Sequence, residues 1–150
     1  MAIVVRGCEF PDDRHYHAQH NVWVKGGADG IVTLGATSFG VALAREFMGF
    51  VPKSAGTEVE ADRAVGAIEL WKTMVSVRTP VAGTIVEGNE AVKRDPSLIN
   101  RDPYGAGWLV RLRVPDWESA KLALVSGPAI ALAFEAAMAL ENFEGQEPMS

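Results

Sequence analysis

One lysine, Lys72, lies between two segments whose residues are typical of β-strands. The preceding segment, Ala64–Leu70, is mainly apolar, and in the following one, Thr73–Arg78, apolar and polar residues alternate with the period of a half-buried strand. We expect a hairpin with Lys72 near its tip and its ammonium group in water. A lysine in such a place is usually only a solvated charge, so its chemistry depends on the residues around it.

Three histidines near the N-terminus, His15, His17 and His20, are the candidate metal ligands. On a strand, His15 and His17 would share a face and could bind a metal ion. No carboxylate or cysteine completes a ligand set with convincing spacing. We therefore predict no metal site and expect His20 to make a local hydrogen bond.

The single cysteine, Cys8, cannot form a disulfide within the chain. Its acidic neighbours Glu9, Asp12 and Asp13 would raise the pKa of the thiol, so we expect an inert, partly covered side chain rather than a redox partner. No nucleophile with a paired base and no glycine-rich phosphate loop stands out. These observations predict that the chain turns over no substrate alone.

The length of 150 residues suits one domain over residues 1–150. The net charge of -5 excludes the positive field that nucleic acids and anionic membranes require. The most apolar stretch, 122–134, contains Ser126, Gly127 and Pro128 and is too short to span a bilayer. The first seven residues include Arg6 and do not resemble a signal peptide, so we predict a cytoplasmic protein.

Short runs of β-branched residues between glycines and prolines predict many strands, as in a sandwich or barrel. The predicted strands are Ile3–Arg6, Asn21–Lys25, Ile31–Leu34, Phe50–Pro52, Ala64–Leu70, Thr73–Arg78, Ala82–Glu87 and Trp108–Val114, with a hairpin loop at 26–30. The predicted helices are a helix capped by Thr37 or Ser38 that runs to about Glu46, Trp117–Leu124 capped by Asp116, and Pro128–Phe143 capped by Ser126. We expect the core at about 15–115 and the C-terminal helices at about 116–143.

The residues around Lys72 match the pattern of a known family. Glu69 stands three residues before the lysine, and Thr79-Pro80-Val81-Ala82-Gly83 follows it. A second, more specific run is Leu98-Ile99-Asn100-Arg101-Asp102-Pro103-Tyr104-Gly105-Ala106-Gly107-Trp108-Leu109. These segments resemble the glycine cleavage system H protein, a lipoyl carrier, whose patterns are Glu-Ser-x-Lys, Ala-Pro-Val-x-Gly and Leu-Val-Asn-x-Asp-Pro-Tyr-Gly-x-Gly-Trp-Leu. The resemblance covers about residues 15 to 145 in consistent order.

The resemblance implies a mainly β fold with helical additions (α+β), a lipoyl-domain-like barrel-sandwich hybrid with a C-terminal helix. It also implies lipoate attached to Lys72 through an amide, forming a swinging arm that ends in a dithiolane. The chain would then be a non-catalytic carrier, modified by a lipoate-attaching ligase and acting with partner enzymes. By the same analogy Glu69 helps the ligase recognise the loop; alternatively, it is only an exposed carboxylate at the end of a strand.

Two large apolar residues beside the lysine, Trp71 and Met74, depart from the family pattern. They either pack within the hairpin, or they face a partner enzyme or shield the dithiol. The N-terminal run from Arg6 to His17 also departs from the pattern. It resembles the H-protein-like lipoate-binding proteins of bacterial sulfur oxidation, which act with a heterodisulfide-reductase-like complex.

The resemblance therefore favours a lipoyl arm that carries sulfur intermediates. The alternatives are an H protein that shuttles the aminomethyl group among the glycine cleavage P, T and L proteins, and an unmodified binding module of the same fold. Biotin carriers have Met-Lys-Met and lipoyl domains of 2-oxo acid dehydrogenases have Asp-Lys-Ala, whereas Lys72 lies between Trp71 and Thr73. Both of those families are therefore disfavoured.

Overall fold

The computed structural model describes residues 1–145. Its strands are β1 (Ala2–Val5), β2 (Cys8–Pro11), β3 (His15–His17), β4 (Val22–Gly26), β5 (Ile31–Ala36), β6 (Gly49–Pro52), β7 (Glu58–Val59), β8 (Ala64–Leu70), β9 (Thr73–Arg78), β10 (Gly83–Gly88) and β11 (Val110–Arg113). Its α-helices are α1 (Ser38–Ala44), α2 (Glu90–Arg94), α3 (Ser97–Arg101), α4 (Trp117–Ala120) and α5 (Ala129–Leu140). Single 3-10 turns lie at Ala28–Gly30 and Lys121–Ala123. In residues 1–145 no helix is both long and apolar enough to cross a bilayer.

Two antiparallel sheets share the main hydrophobic core. The larger has the strand order β3-β4-β5-β11-β10-β7, and the smaller has the order β6-β8-β9. The alternation along each strand directs one set of side chains inward, so that Val24 and Leu34 of the larger sheet belong to the same cluster as Val65 and Ile68 of the smaller one. The β8–β9 hairpin is therefore anchored on a closely packed base.

A second core joins the N-terminal ribbon to the C-terminal helix. Strands β1 and β2 form a two-stranded sheet, and Ile130, Phe134 and Met138 of α5 lie fully buried in this cluster. Their spacing of four residues places them on one face of the helix, as the sequence predicts. The ring of Phe134 lies 4.2 Å from that of Phe10, centroid to centroid. The mainly β architecture with a C-terminal helix agrees with the predicted fold class.

Several predicted helix ends need correction. The first helix ends at Ala44 rather than Glu46, because Arg45 has a φ of +70° and leaves the helical conformation. The last helix is Ala129–Leu140, shorter than predicted, and Pro128 rather than Ser126 precedes its first turn. The helix at Trp117 is capped by Asp116 as predicted, but it becomes a 3-10 turn after Ala120.

Candidate functional site

The β8–β9 hairpin ends in a two-residue turn formed by Trp71 and Lys72. Leu70 is paired with Thr73, which leaves only these two residues outside the ladder. Lys72 is exposed and has a φ of +66°, a left-handed conformation that so tight a reversal requires at one of its positions. Its Nζ lies 5.9 Å from the centroid of the Trp71 ring. The lysine thus extends from the tip into solvent, as the sequence predicts.

The base of the hairpin is hydrogen-bonded to neighbouring segments. Strand β8 pairs with β6 on one side and with β9 on the other. Beyond β9, the buried Thr79 donates its hydroxyl to the Val81 carbonyl at 2.7 Å and its backbone N–H to the Arg63 carbonyl at 2.9 Å. These bonds fix the chain where it leaves the hairpin. A group attached to the lysine would therefore move relative to an anchored hairpin.

Glu69 lies on the outer face of the smaller sheet. It is paired with Gly49 on one neighbouring strand and with Met74 on the other. A Cβ atom at Gly49 would come within 2.7 Å of Glu69 Oε1, so glycine leaves room for the carboxylate. Within residues 1–145 this carboxylate has no ion-pair partner. The residue is also exposed, so its carboxylate is accessible to another protein.

The apolar residues that flank the lysine are not covered. Trp71 is 70% exposed and Met74 is 54% exposed. Exposed large apolar side chains that lie close together commonly belong to an interaction surface. We refer to Trp71 and Met74 as the arm-flanking surface.

An apolar groove of about 360 Å³ runs beside the hairpin. One wall comes from the hairpin, including Leu70, Val75 and Ser76, and the opposite wall includes Leu43 of α1. His20 belongs to the same lining, which holds no acidic residue. Sequence reasoning did not identify this groove, because its walls come from segments that only the folded chain brings together.

His20 also belongs to a cluster with His17 and Asp62. His20 Nε2 lies 2.7 Å from Asp62 Oδ1, and the backbone N–H of His20 donates to His17 Nδ1 at 3.1 Å. The two imidazole rings are stacked, with centroids 4.2 Å apart and an interplanar angle of 19°. The hydrogen bond from His20 holds the pKa of Asp62 below its usual value, and burial lowers the pKa of His17.

This cluster corrects the expectation that no carboxylate joins the histidines. Ligand atoms of His17, His20 and Asp62 lie within 4.8 Å of one another, a spacing that could suit a metal ion. However, nearly parallel stacked rings cannot both direct a nitrogen lone pair at one ion, and His17 Nδ1 already accepts a hydrogen bond. We assign no metal to the cluster, and the absence of a metal site stays a prediction.

Cys8 and His15 lie outside the groove and the cluster. Cys8 is fully buried in the second core, whereas the sequence predicted a partly covered side chain. Burial raises the pKa of its thiol, whereas the sequence analysis attributed a raised pKa to the acidic neighbours. His15 packs edge-to-face against Trp117 at 5.4 Å.

The run from Asp102 to Trp108 supports the fold rather than the hairpin. Tyr104 donates its hydroxyl to the Glu9 carbonyl at 2.7 Å, which ties this loop to β2. The buried Asn89 side chain donates to the carbonyls of Ala106 and Trp108 at 2.8 and 2.7 Å. The most specific motif of the sequence thus has a structural role, because its hydrogen bonds hold this loop against the rest of the fold. We refer to these hydrogen bonds of Tyr104 and Asn89 as the clasp.

Comparison with known proteins gives one consistent result. Residues 14–136 match the family described as glycine cleavage H-protein. Glycine cleavage system H protein 5 of Aquifex aeolicus is 40% identical over 125 residues, which are 81% of this chain and 84% of that protein. H protein 2 of the same organism is 37% identical over 122 residues, covering 81% and 76% of the two chains. The crystal structure of a glycine cleavage system H protein from Mycobacterium marinum has a TM-score of 0.68 and 30% identity, covering 89% of this chain and 99% of that one.

Proposed function

The chain belongs to the glycine cleavage H-protein family, and on that premise we propose that Lys72 is the residue that carries its lipoyl group. H proteins are non-catalytic carriers that hold lipoate covalently on a lysine and work with partner enzymes. The dithiolane of lipoate supplies reversible thiol–disulfide chemistry at the end of a long arm. The protein contributes position and access.

The position of Lys72 is the single observation that carries this proposal. Its amine lies at the tip of a two-residue turn on an anchored hairpin, where an attaching enzyme can approach it from most directions. Lys25, Lys93 and Lys121 each form an ion pair with a neighbouring carboxylate. Of the remaining lysines in residues 1–145, Lys53 follows the end of β6 and is not on a hairpin tip.

The surroundings of Lys72 fit an amide-linked arm. Amide formation removes the positive charge of the amine, so the arm can lie against apolar surface without burying an ion. The groove offers such a surface along the side of the same hairpin. In this proposal Glu69 contributes to recognition by the lipoate-attaching ligase, and the arm-flanking surface contacts whichever enzyme receives the arm.

Intact mass spectrometry after co-expression with a lipoate ligase tests the attachment. We expect the wild-type mass to rise by one lipoyl group, Lys72→Arg to show no gain, and the matched control Lys53→Arg to behave as the wild type. Unmodified wild-type protein that still supports its pathway would instead favour an unmodified binding module.

We further propose that the arm carries sulfur intermediates in bacterial sulfur oxidation, with a heterodisulfide-reductase-like complex as the partner. The supporting observation is the lining of the groove. An aminomethyl cargo presents an amine, which carboxylates bind best, and no acidic residue lines the groove. Neutral sulfur atoms are compatible with apolar walls such as those formed by Leu43 and Val75.

The family relationship itself implies the glycine cleavage P, T and L proteins as partners, and this is the alternative. The cytoplasmic location stays a prediction from the sequence.

The two cargoes are distinguished by loading the reduced, lipoylated protein. With thiosulfate or polysulfide we expect a mass gain of sulfur on the wild type and none on Lys72→Arg. In a parallel reaction with glycine and the P and T proteins we expect little transfer. Efficient aminomethyl transfer together with no sulfur gain would establish the alternative.

A further inference from the structure

His20, which lines the groove, is paired with the carboxylate of Asp62, which does not line it. The His20 side chain is 16% exposed, and its Nε2 is 2.7 Å from Asp62 Oδ1. Asp62 is itself held in place, because its backbone N–H donates to the Thr79 carbonyl and its carbonyl accepts from Arg78 at 3.0 Å. When His20 donates its Nε2 proton to Asp62, its Nδ1 keeps a lone pair that has no partner in residues 1–145.

An arm attached to Lys72 can reach the groove that His20 lines. The lysine side chain and the lipoyl chain together comprise roughly twelve bonds, on the order of 14 Å when extended along the strand. Four residues of β9 span roughly 13 Å, which takes the end of the arm from Lys72 to the level of Ser76. Ser76 and His20 line the same groove.

We propose that His20 accepts the proton of a lipoyl thiol that lies in this groove, and that Asp62 is its positioning residue. The proposal rests on lipoylation of Lys72. The thiol proton moves to His20 Nδ1, the sulfur keeps the electron pair of the S–H bond, and Asp62 stabilises the imidazolium that forms. A thiolate is the reactive form of a thiol, so this transfer prepares the arm to attack a sulfur or carbon donor.

The charges around His20 set the conditions for this transfer. The Asp62 carboxylate is hydrogen-bonded to His20, and the ring of His17 is stacked on that of His20 with centroids 4.2 Å apart. Burial and the neighbouring His20 lower the pKa of His17, which favours its neutral form. The hydrogen bond from His20 is the main cause that lowers the pKa of the Asp62 carboxyl group, and the charge of the nearby Arg78 lowers it further. The arrangement thus leaves one proton-accepting site beside a fixed anion.

The test compares reduced, lipoylated wild type with His20→Gln, Asp62→Asn and the matched control His15→Gln. The rate of thiol alkylation by iodoacetamide is measured against pH, with free dihydrolipoamide as a reference, and ultraviolet absorbance of the thiolate is recorded in parallel. We expect His20→Gln to lose about tenfold in rate at pH 7, as for a rise of about one unit in the apparent thiol pKa. Asp62→Asn should shift the profile in the same direction, and His15→Gln should match the wild type.

Two results would overturn the assignment: a His20→Gln profile that coincides with the wild type, or a wild-type arm that reacts like free dihydrolipoamide. The second comparison needs no variant and remains valid if a substitution prevents folding. Intact mass of each sample separates this failure from failure of the proposed function. Lipoylated samples with unchanged profiles reject only the role of His20, whereas absence of the lipoyl group rejects both.

Discussion

Phe134 provides a quantitative test of how the C-terminal helix is held. Its side chain is fully buried, and its ring packs 4.2 Å from Phe10 and 5.8 Å from Tyr16, centroid to centroid. Replacement by alanine removes these contacts and leaves a cavity, which costs about 3 to 5 kcal/mol. For a protein of this size, such a loss lowers Tm by roughly 6 to 20 °C. Because the total stability of a domain of this size is about 7 to 15 kcal/mol, Phe134→Ala should still fold.

Urea unfolding followed by circular dichroism measures the loss, and Leu132→Ala on the same helix is the control. Leu132 is 78% exposed, so its variant should remain within about 0.5 kcal/mol of the wild type. Lys72 projects from the hairpin on the other core, so lipoylation of folded Phe134→Ala should proceed at the wild-type rate. A loss below about 1 kcal/mol, or equal losses in the two variants, would refute the packing described for α5.

Three further predictions concern pH, the turn and the clasp. The pKa of His17 is lowered from 6.5 in the folded protein. Its contribution to stability is therefore complete above pH 6.5 and is lost as the pH falls below that value. In urea titrations at pH 7 and pH 5, His17→Gln should lose less unfolding free energy between the two pH values than the wild type does. Lys72→Gly should raise the unfolding free energy of the unlipoylated protein by about 0.5 kcal/mol, because relief of the left-handed strain exceeds the added freedom of the unfolded chain. A decrease of the unfolding free energy in a urea titration would contradict this prediction. Asn89→Ala should cost about 1 to 3 kcal/mol in the same titration, because it leaves the carbonyls of Ala106 and Trp108 without their donor, and an unchanged midpoint would argue against the clasp.

The lysine hairpin is accessible to sequence reasoning because its signals are local. The predicted strands Ala64–Leu70 and Thr73–Arg78 coincide with β8 and β9, since alternation and the turn between them lie within fifteen residues. Strand β7 has only two residues, and α2 and α3 have five each, so none is long enough to show a period. Such short elements form because their tertiary contacts stabilise them.

The His20–Asp62 pair could not be predicted for a different reason. The two residues are 42 positions apart, and their meeting depends on how the loop before β8 packs against the turn after β3. The spacing along the chain indicated that His15 and His17 share one face of a strand. In the folded chain His17 stacks on His20, and His15 packs against Trp117. Local patterns identify candidate residue types, but only the tertiary structure selects which of them meet.

The central claim is tested most directly by locating the lipoyl group with tandem mass spectrometry of a tryptic digest. Trypsin cleaves after an unmodified Lys72 and gives the peptides 64–72 and 73–78, because Arg63 and Arg78 bound the hairpin. An amide on Lys72 blocks that cleavage. We therefore predict one peptide, 64–78, with the lipoyl mass on Lys72. Recovery of the two shorter peptides together with lipoate on another lysine, such as Lys53, would contradict the claim.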